Sequence, residues 1–148
     1  MNRRELLSVV GLGAAGFGAV GAMSSARADE PQHHEGPMDD CAKACVDCLR
    51  ECESCADHCA HLLASGMKEH LTTLQTCSDC AEICGAAAKI TSRHGPMAAT
   101  ICEACAKACD DCAAACEKTS DDQHMQKCAK ACRDCSKACR EMVKHLHH

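Results

Sequence analysis

The chain has 148 residues, a formal net charge of −5 and eighteen cysteines, with no Trp or Tyr and a single Phe, Phe17. That length suffices for one domain. An acidic chain with so few aromatic side chains lacks both the phosphate-neutralising patch and the stacking platform of nucleic-acid binders. No Ser/His/Asp set, paired acid or phosphate loop stands out, which argues against an enzyme.

The first 28 residues read as an export leader. Asn2-Arg3-Arg4-Glu5-Leu6-Leu7 resembles a twin-arginine motif, with Leu6 where Phe is usual. A Gly/Ala-rich apolar stretch from Val9 to Ala22 follows, then Ala26-Arg27-Ala28, an A-x-A cleavage pattern. The stretch is too short and too rich in glycine for a membrane anchor. The expected mature chain, residues 29–148, is periplasmic, free of the membrane, and carries −7 once the leader's net +2 is removed. It holds only eleven Val, Ile and Leu residues, so its core depends on cysteine, which packs as a small apolar residue.

Residues 29–37 read as a flexible polar arm containing His33-His34, and residues 38–148 as the folded bundle. Gly36-Pro37 opens a first helix, with Asp39 and Asp40 where the helix dipole favours negative charge. It runs to about Leu63 and stops at Ser65-Gly66. A second helix covers roughly Met67 to Thr91. Gly95-Pro96 breaks the chain before a third, Met97 to Lys118. After Thr119-Ser120-Asp121 a fourth continues to about Leu146, with Ser120 and Gln123 spaced as a capping box. Three short connections make neighbouring helices antiparallel. The expected fold is all-α, an up-down-up-down four-helix bundle.

Each helix carries a cysteine seam. Cys41, Cys45, Cys48, Cys52, Cys55 and Cys59 lie on the first; Cys77, Cys80 and Cys84 on the second. Cys102, Cys105, Cys109, Cys112 and Cys116 lie on the third; Cys128, Cys132, Cys135 and Cys139 on the fourth. Within every cluster the intervals alternate 3 and 4, the rhythm of a helix face turned into a bundle. Thiols therefore stand where Leu, Ile or Val normally would. On the second helix the same spacing continues through His70, Thr73, Ala87, Thr91 and His94, with Leu71, Leu74, Ile83 and Ile90 beside it. Met125 and Met142 extend the seam of the fourth helix.

A core lined with soft ligands points to a soft metal. Pairs four residues apart, such as Cys41/Cys45 or Cys48/Cys52, are stacked neighbours on a helix, and two-coordinate thiolate binding suits Cu(I). Zn²⁺ prefers four ligands, and a set of four-thiolate zinc sites would bury a large uncompensated negative charge. One Cu(I) per thiolate leaves a neutral core. With two sulfurs per copper and each sulfur able to bridge two, the eighteen thiols hold about 9 to 18 ions. Iron–sulfur motifs use fixed four-ligand runs, and this rhythm continues far beyond four. Disulfide stapling is common in exported chains, but neighbouring thiols on one helix face run nearly parallel, poor geometry for an S–S bond.

Residues 38–142 resemble the bacterial copper storage proteins, and the leader resembles the exported branch of that family. The full set of eighteen cysteines is more like its cytosolic members. The resemblance implies a bundle filled with thiolate-bridged Cu(I), a homo-oligomer, and all eighteen cysteines as ligands. It also implies a Met/His-lined route for metal at an open bundle end. His34 and Met38 continue the first seam and Met142 the fourth, at the end that His94, Met97 and His145 share. His58, His61, His124, His145, His147 and His148 read as solvated surface residues. Rival readings are a copper chaperone or detoxification buffer, separated from storage by the rate of Cu(I) release, and a disulfide-stapled or thiol-redox structural protein, separated by a count of free thiols.

Overall fold

The computed structural model describes residues 36–119 and 121–146. The expected leader, His33, His34, Ser120, His147 and His148 lie outside the described residues. Four helices form: α1 (Pro37–Ala64), α2 (Leu71–Ser92), α3 (Ala98–Cys116) and α4 (Gln123–Leu146). No strand occurs among the described residues, and no helix there is long and apolar enough to cross a membrane.

The helix boundaries follow from local chemistry. Gly36 is extended, and its carbonyl accepts the Asp39 and Asp40 N–H groups at 2.9 and 3.0 Å. Pro37, which has no N–H to satisfy, takes the first helical position. α1 ends with Gly66 at φ +93°. There the Gly66 and Met67 N–H groups close on the Leu63 and Leu62 carbonyls at 2.9 and 3.1 Å, the Schellman termination expected from Ser65-Gly66. α2 ends the same way, His94 N–H on Thr91 O and Gly95 N–H on Ile90 O, both 2.9 Å. Here, however, the left-handed residue is His94, at φ +52°.

Three boundaries differ from those the spacing implies. Met67–His70 do not begin α2; Lys68–His70 form a 3₁₀ turn and the α-helix starts at Leu71. α3 likewise stops at Cys116 and tightens into a 3₁₀ turn, Glu117–Thr119. The cap of α4 is Asp122, whose carboxylate accepts the His124 and Met125 N–H groups at 2.7 and 3.2 Å. Asp122 thus does the work the sequence assigned to Ser120 and Gln123.

Each helix packs on its chain neighbours, and α1 closes on α4. Among the described residues, diagonally opposed backbones do not approach within 8 Å. α1 therefore runs parallel to α3 across a square, antiparallel bundle. Gly85 brings α2 close to α1: a Cβ there would lie 3.1 Å from Leu49 Cδ1. On the other side Asp110 ties α3 to α4, accepting from Ser136 Oγ at 2.8 Å and pairing with Arg133 and Arg140. The interior is cysteine and alanine with Met125 and Met142. Leu49, Leu74, Ile83 and Ile90 pack on its margin, whereas Leu71 is exposed.

Candidate metal centre

All eighteen cysteines are free, and none is more than 1% exposed. The α2 seam behaves as its spacing implies as far as Thr91: His70, Thr73, Ala87 and Thr91 are buried in line with the thiols, whereas His94 lies past the helix end in a left-handed turn and is exposed. Thr91, with no exposure, returns its hydroxyl to the Ala87 carbonyl at 2.8 Å. Among the described residues no buried side-chain polar atom lacks a partner. The interior therefore presents sulfur and little else.

The sulfurs meet mainly between helices. Across the α1/α3 diagonal, Cys41, Cys45, Cys48, Cys52 and Cys55 face Cys102, Cys105, Cys109, Cys112 and Cys116 at 3.6–4.0 Å. α4 runs the other way, so Cys41 and Cys45 meet Cys139, Cys48 meets Cys132, and Cys52 meets Cys132 and Cys128, at 3.6–3.8 Å. α2 enters through Cys77 on Cys112 and Cys116, Cys80 on Cys109, and Cys84 on Cys105 and Cys109. Of the same-helix pairs, Cys48/Cys52, Cys80/Cys84 and Cys105/Cys109 approach at 3.9–4.0 Å. The shortest approaches, 3.6 Å, lie between helices. The spacing alone could not reveal those, because it fixes faces but not register.

Overlapping four-sulfur groups run along the bundle. Their ligand atoms lie within 4.8 Å of one another in Cys45/Cys105/Cys135/Cys139, Cys48/Cys80/Cys84/Cys109, Cys48/Cys52/Cys80/Cys132, Cys52/Cys112/Cys128/Cys132 and Cys55/Cys77/Cys116/Cys128. Sulfurs shared between adjacent groups make one column suited to bridged monovalent ions. Proximity also spreads the thiol acidities. Contact with Cys112 brings Cys116 down to about 5. Cys105 raises Cys135, as it does Cys45. Burial itself pushes Cys59 up. A bound cation would overcome these penalties by taking the place of the proton.

The two bundle ends differ. At the α1 N-terminus, Met142 is buried and Met38 half-buried against the core, while His94 sits 3.8 Å from Asp39. A cleft of about 140 Å³ there is lined by Asp40, Glu141, Met142 and His145. Met97 is exposed. At the opposite end Met125 is fully buried, with Sδ 3.4 Å from Cys55 Sγ. That makes Met125 a nineteenth sulfur of the lattice; in the sequence its signal was the seam spacing alone. His58, expected in solvent, is half-buried, bonded to Asp122 at 2.7 Å and stacked on His124 at 4.4 Å. His61 and His124 are exposed, as is His145.

The copper storage protein family model matches residues 34–144. The chain belongs to that family. Solved structures of its members share the fold. The Cu(I)-bound copper storage protein BsCsp3 is 34% identical with a TM-score of 0.65, over 73% of this chain and 99% of that one. The Streptomyces lividans copper storage protein Ccsp, loaded with 10 copper equivalents, is 30% identical with a TM-score of 0.68, over 81% of this chain and 93% of that one. The uncharacterized cysteine-rich protein YhjQ of Bacillus subtilis (strain 168) is 37% identical over 87 residues, 58% of this chain and 77% of that protein.

Proposed function

We propose that this member of the copper storage family holds many Cu(I) ions per chain in its thiol column, as a store and not as an enzyme. One observation carries the reading: eighteen sulfurs are buried, and those from Cys41 to Cys55 on α1 meet partners on the other helices at 3.6–4.0 Å along the bundle. A dry interior tolerates that many thiolates only when each negative charge is met by a positive one nearby. Monovalent copper meets the charges one for one and accepts the low coordination numbers that bridging sulfurs offer. Anaerobic titration with Cu(I) against a strong competing chelator tests this. Saturation between about 9 and about 18 equivalents is expected. Saturation at one or two would overturn it.

Storage, as against delivery or detoxification, is supported by the depth of the ligands: none of the thiols is open to a partner's ligand exchange at the surface. Slow Cu(I) release to a chelator is the outcome expected of a store. Arg3-Arg4 and Ala26-Arg27-Ala28 support export to the periplasm, where a chain folded before transport would keep its thiols from oxidation. Loss of the exported form in cells lacking twin-arginine transport is the matching test. His34, Met38 and Met142 are proposed as the route for metal at the α1 N-terminal end, and self-association into a homo-oligomer is proposed with them. The resemblance suggests both, and the buried Met142 and half-buried Met38 support the route.

A further inference from the structure

The sulfur contacts are not spread evenly over the four helix pairs. Apart from Cys105–Cys135, at 3.9 Å between α3 and α4, every described Cys–Cys contact between helices joins α1 or α2 to α3 or α4. No approach that close links α1 to α2, whose sulfurs, such as Cys48 and Cys80, come only within 4.8 Å. The chain is thus two antiparallel hairpins, α1–α2 and α3–α4, facing each other through thiols.

Each hairpin is fastened internally by something else. Leu49 lies over Gly85 between α1 and α2. Asp110, Ser136, Arg133, Arg140 and Glu117 form a polar staple between α3 and α4, with Arg133 donating to both Glu117 carboxylate oxygens at 3.0 and 2.8 Å. The helix pairs within hairpins are also the more extensively packed ones. Across the seam between hairpins, the one ion pair among the described residues is His58 of α1 with Asp122, the cap of α4. The remainder is thiol, thioether and alanine packing, and S–H is a weak donor to a weak acceptor. The hairpins are joined by Arg93–Met97, where His94 takes a left-handed φ of +52° before Gly95-Pro96. A connection of a few residues that absorbs an unusual backbone angle is what a hinge requires.

We propose that the hairpins α1–α2 and α3–α4 are two halves of a cage that part along their thiol seam, hinged at Arg93–Met97, to open the mid-bundle sulfurs sideways, and that bound metal locks them shut. The identity of the metal rests on the storage reading above; the parting does not. On this scheme, ions need not pass one by one down the column from an end. The whole seam becomes reachable in one event, while the helices keep their own hydrogen bonds.

Pulsed alkylation of the full-length metal-free protein under anaerobic reducing conditions, read by peptide mass spectrometry, tests the parting. If the seam opens as a unit, Cys48, Cys109 and Cys132 at mid-bundle react within about twofold of Cys41 and Cys59 near the ends, while backbone amides of the same sample exchange at least about tenfold more slowly than the thiols react. Thiol rates falling about tenfold from the ends to the middle would overturn the proposal in favour of end-on access. Amides exchanging as fast as the thiols react would overturn it in favour of whole-chain unfolding. Saturation with Cu(I) is expected to silence all eighteen cysteines together. Uniform, amide-independent labelling in a protein that takes up no copper would leave the hinge standing and sink the storage reading instead.

Discussion

Met125 Sδ lies 3.4 Å from Cys55 Sγ, with both side chains buried. A thioether placed this way can close the coordination of the last ion in the column, where α4 has run out of cysteines. Met142, also buried, closes the same seam at its other end.

Replacing Met125 with Leu keeps the volume and removes the sulfur. Metal-free stability is expected to change by less than about 1.5 kcal/mol, while copper capacity falls by about one equivalent. Selenomethionine protein offers a direct check. Copper should appear as a near neighbour in the selenium absorption fine structure of the wild-type chain, and that signal should weaken in Met125→Leu.

The two Schellman turns differ in one residue. Gly66 holds a left-handed φ at no steric cost, whereas His94 holds one against its Cβ. Gly66→Ala should destabilise the metal-free protein by about 1 kcal/mol, and His94→Gly should stabilise it by a similar amount. Urea unfolding of the two variants beside the wild type measures both signs at once.

Asp110 is held below the ordinary carboxylate range, first by the Arg140 guanidinium and then by Ser136. A folded-state pKa lower than the unfolded one means the gain is present above about pH 4 and lost as pH falls through the folded value. The metal-free protein should therefore weaken in acid, and Asp110→Asn should flatten that dependence. At neutral pH the substitution should cost about 1 kcal/mol, chiefly through the buried Ser136 hydroxyl left with a poorer acceptor. Melting temperature followed from pH 7 to 3 checks it.

At the alkaline end the sign reverses. Burial raises Cys59, and the Cys105 thiol raises Cys109 and Cys135. Groups whose folded pKa lies above the unfolded one stabilise the fold below that unfolded value, near 9, and lose the contribution as pH climbs toward the folded one. Metal-free protein should lose melting temperature above pH 9, and Cu(I)-loaded protein should not, since its thiols carry no proton to lose. Calorimetric scans from pH 7 to 10.5 on both forms make the comparison.

Much of this was legible in the sequence because cysteine served as both core residue and ligand. The 3-and-4 alternation placed Cys41 through Cys59 on one face, and burial confirms each position. Gly66 announced a helix end by its own conformational freedom. What the spacing could not carry was register. That Cys48 meets Cys109 and Cys132 before Cys45 depends on how far each helix slides along its neighbour. That slide is set by the turns and by contacts such as Leu49 on Gly85. Asp122 was hidden for a related reason: Ser120 and Gln123 fit a capping pattern equally well on paper, and only the path of the loop chose between them. His58 read as surface because its partner lies 64 residues away.

The α1/α3 contacts repeat at sequence separations of 61, 60, 61, 60 and 61. Parallel strings of equal pitch behave like two combs laid tooth to tooth. Changing one tooth harms one place, but slipping a comb by a single notch misaligns every tooth past the slip. Substitutions along α1 should thus be borne one at a time, whereas inserting a single alanine near its middle would swing Cys52, Cys55 and Cys59 about 100° around the helix axis and take half the store with them.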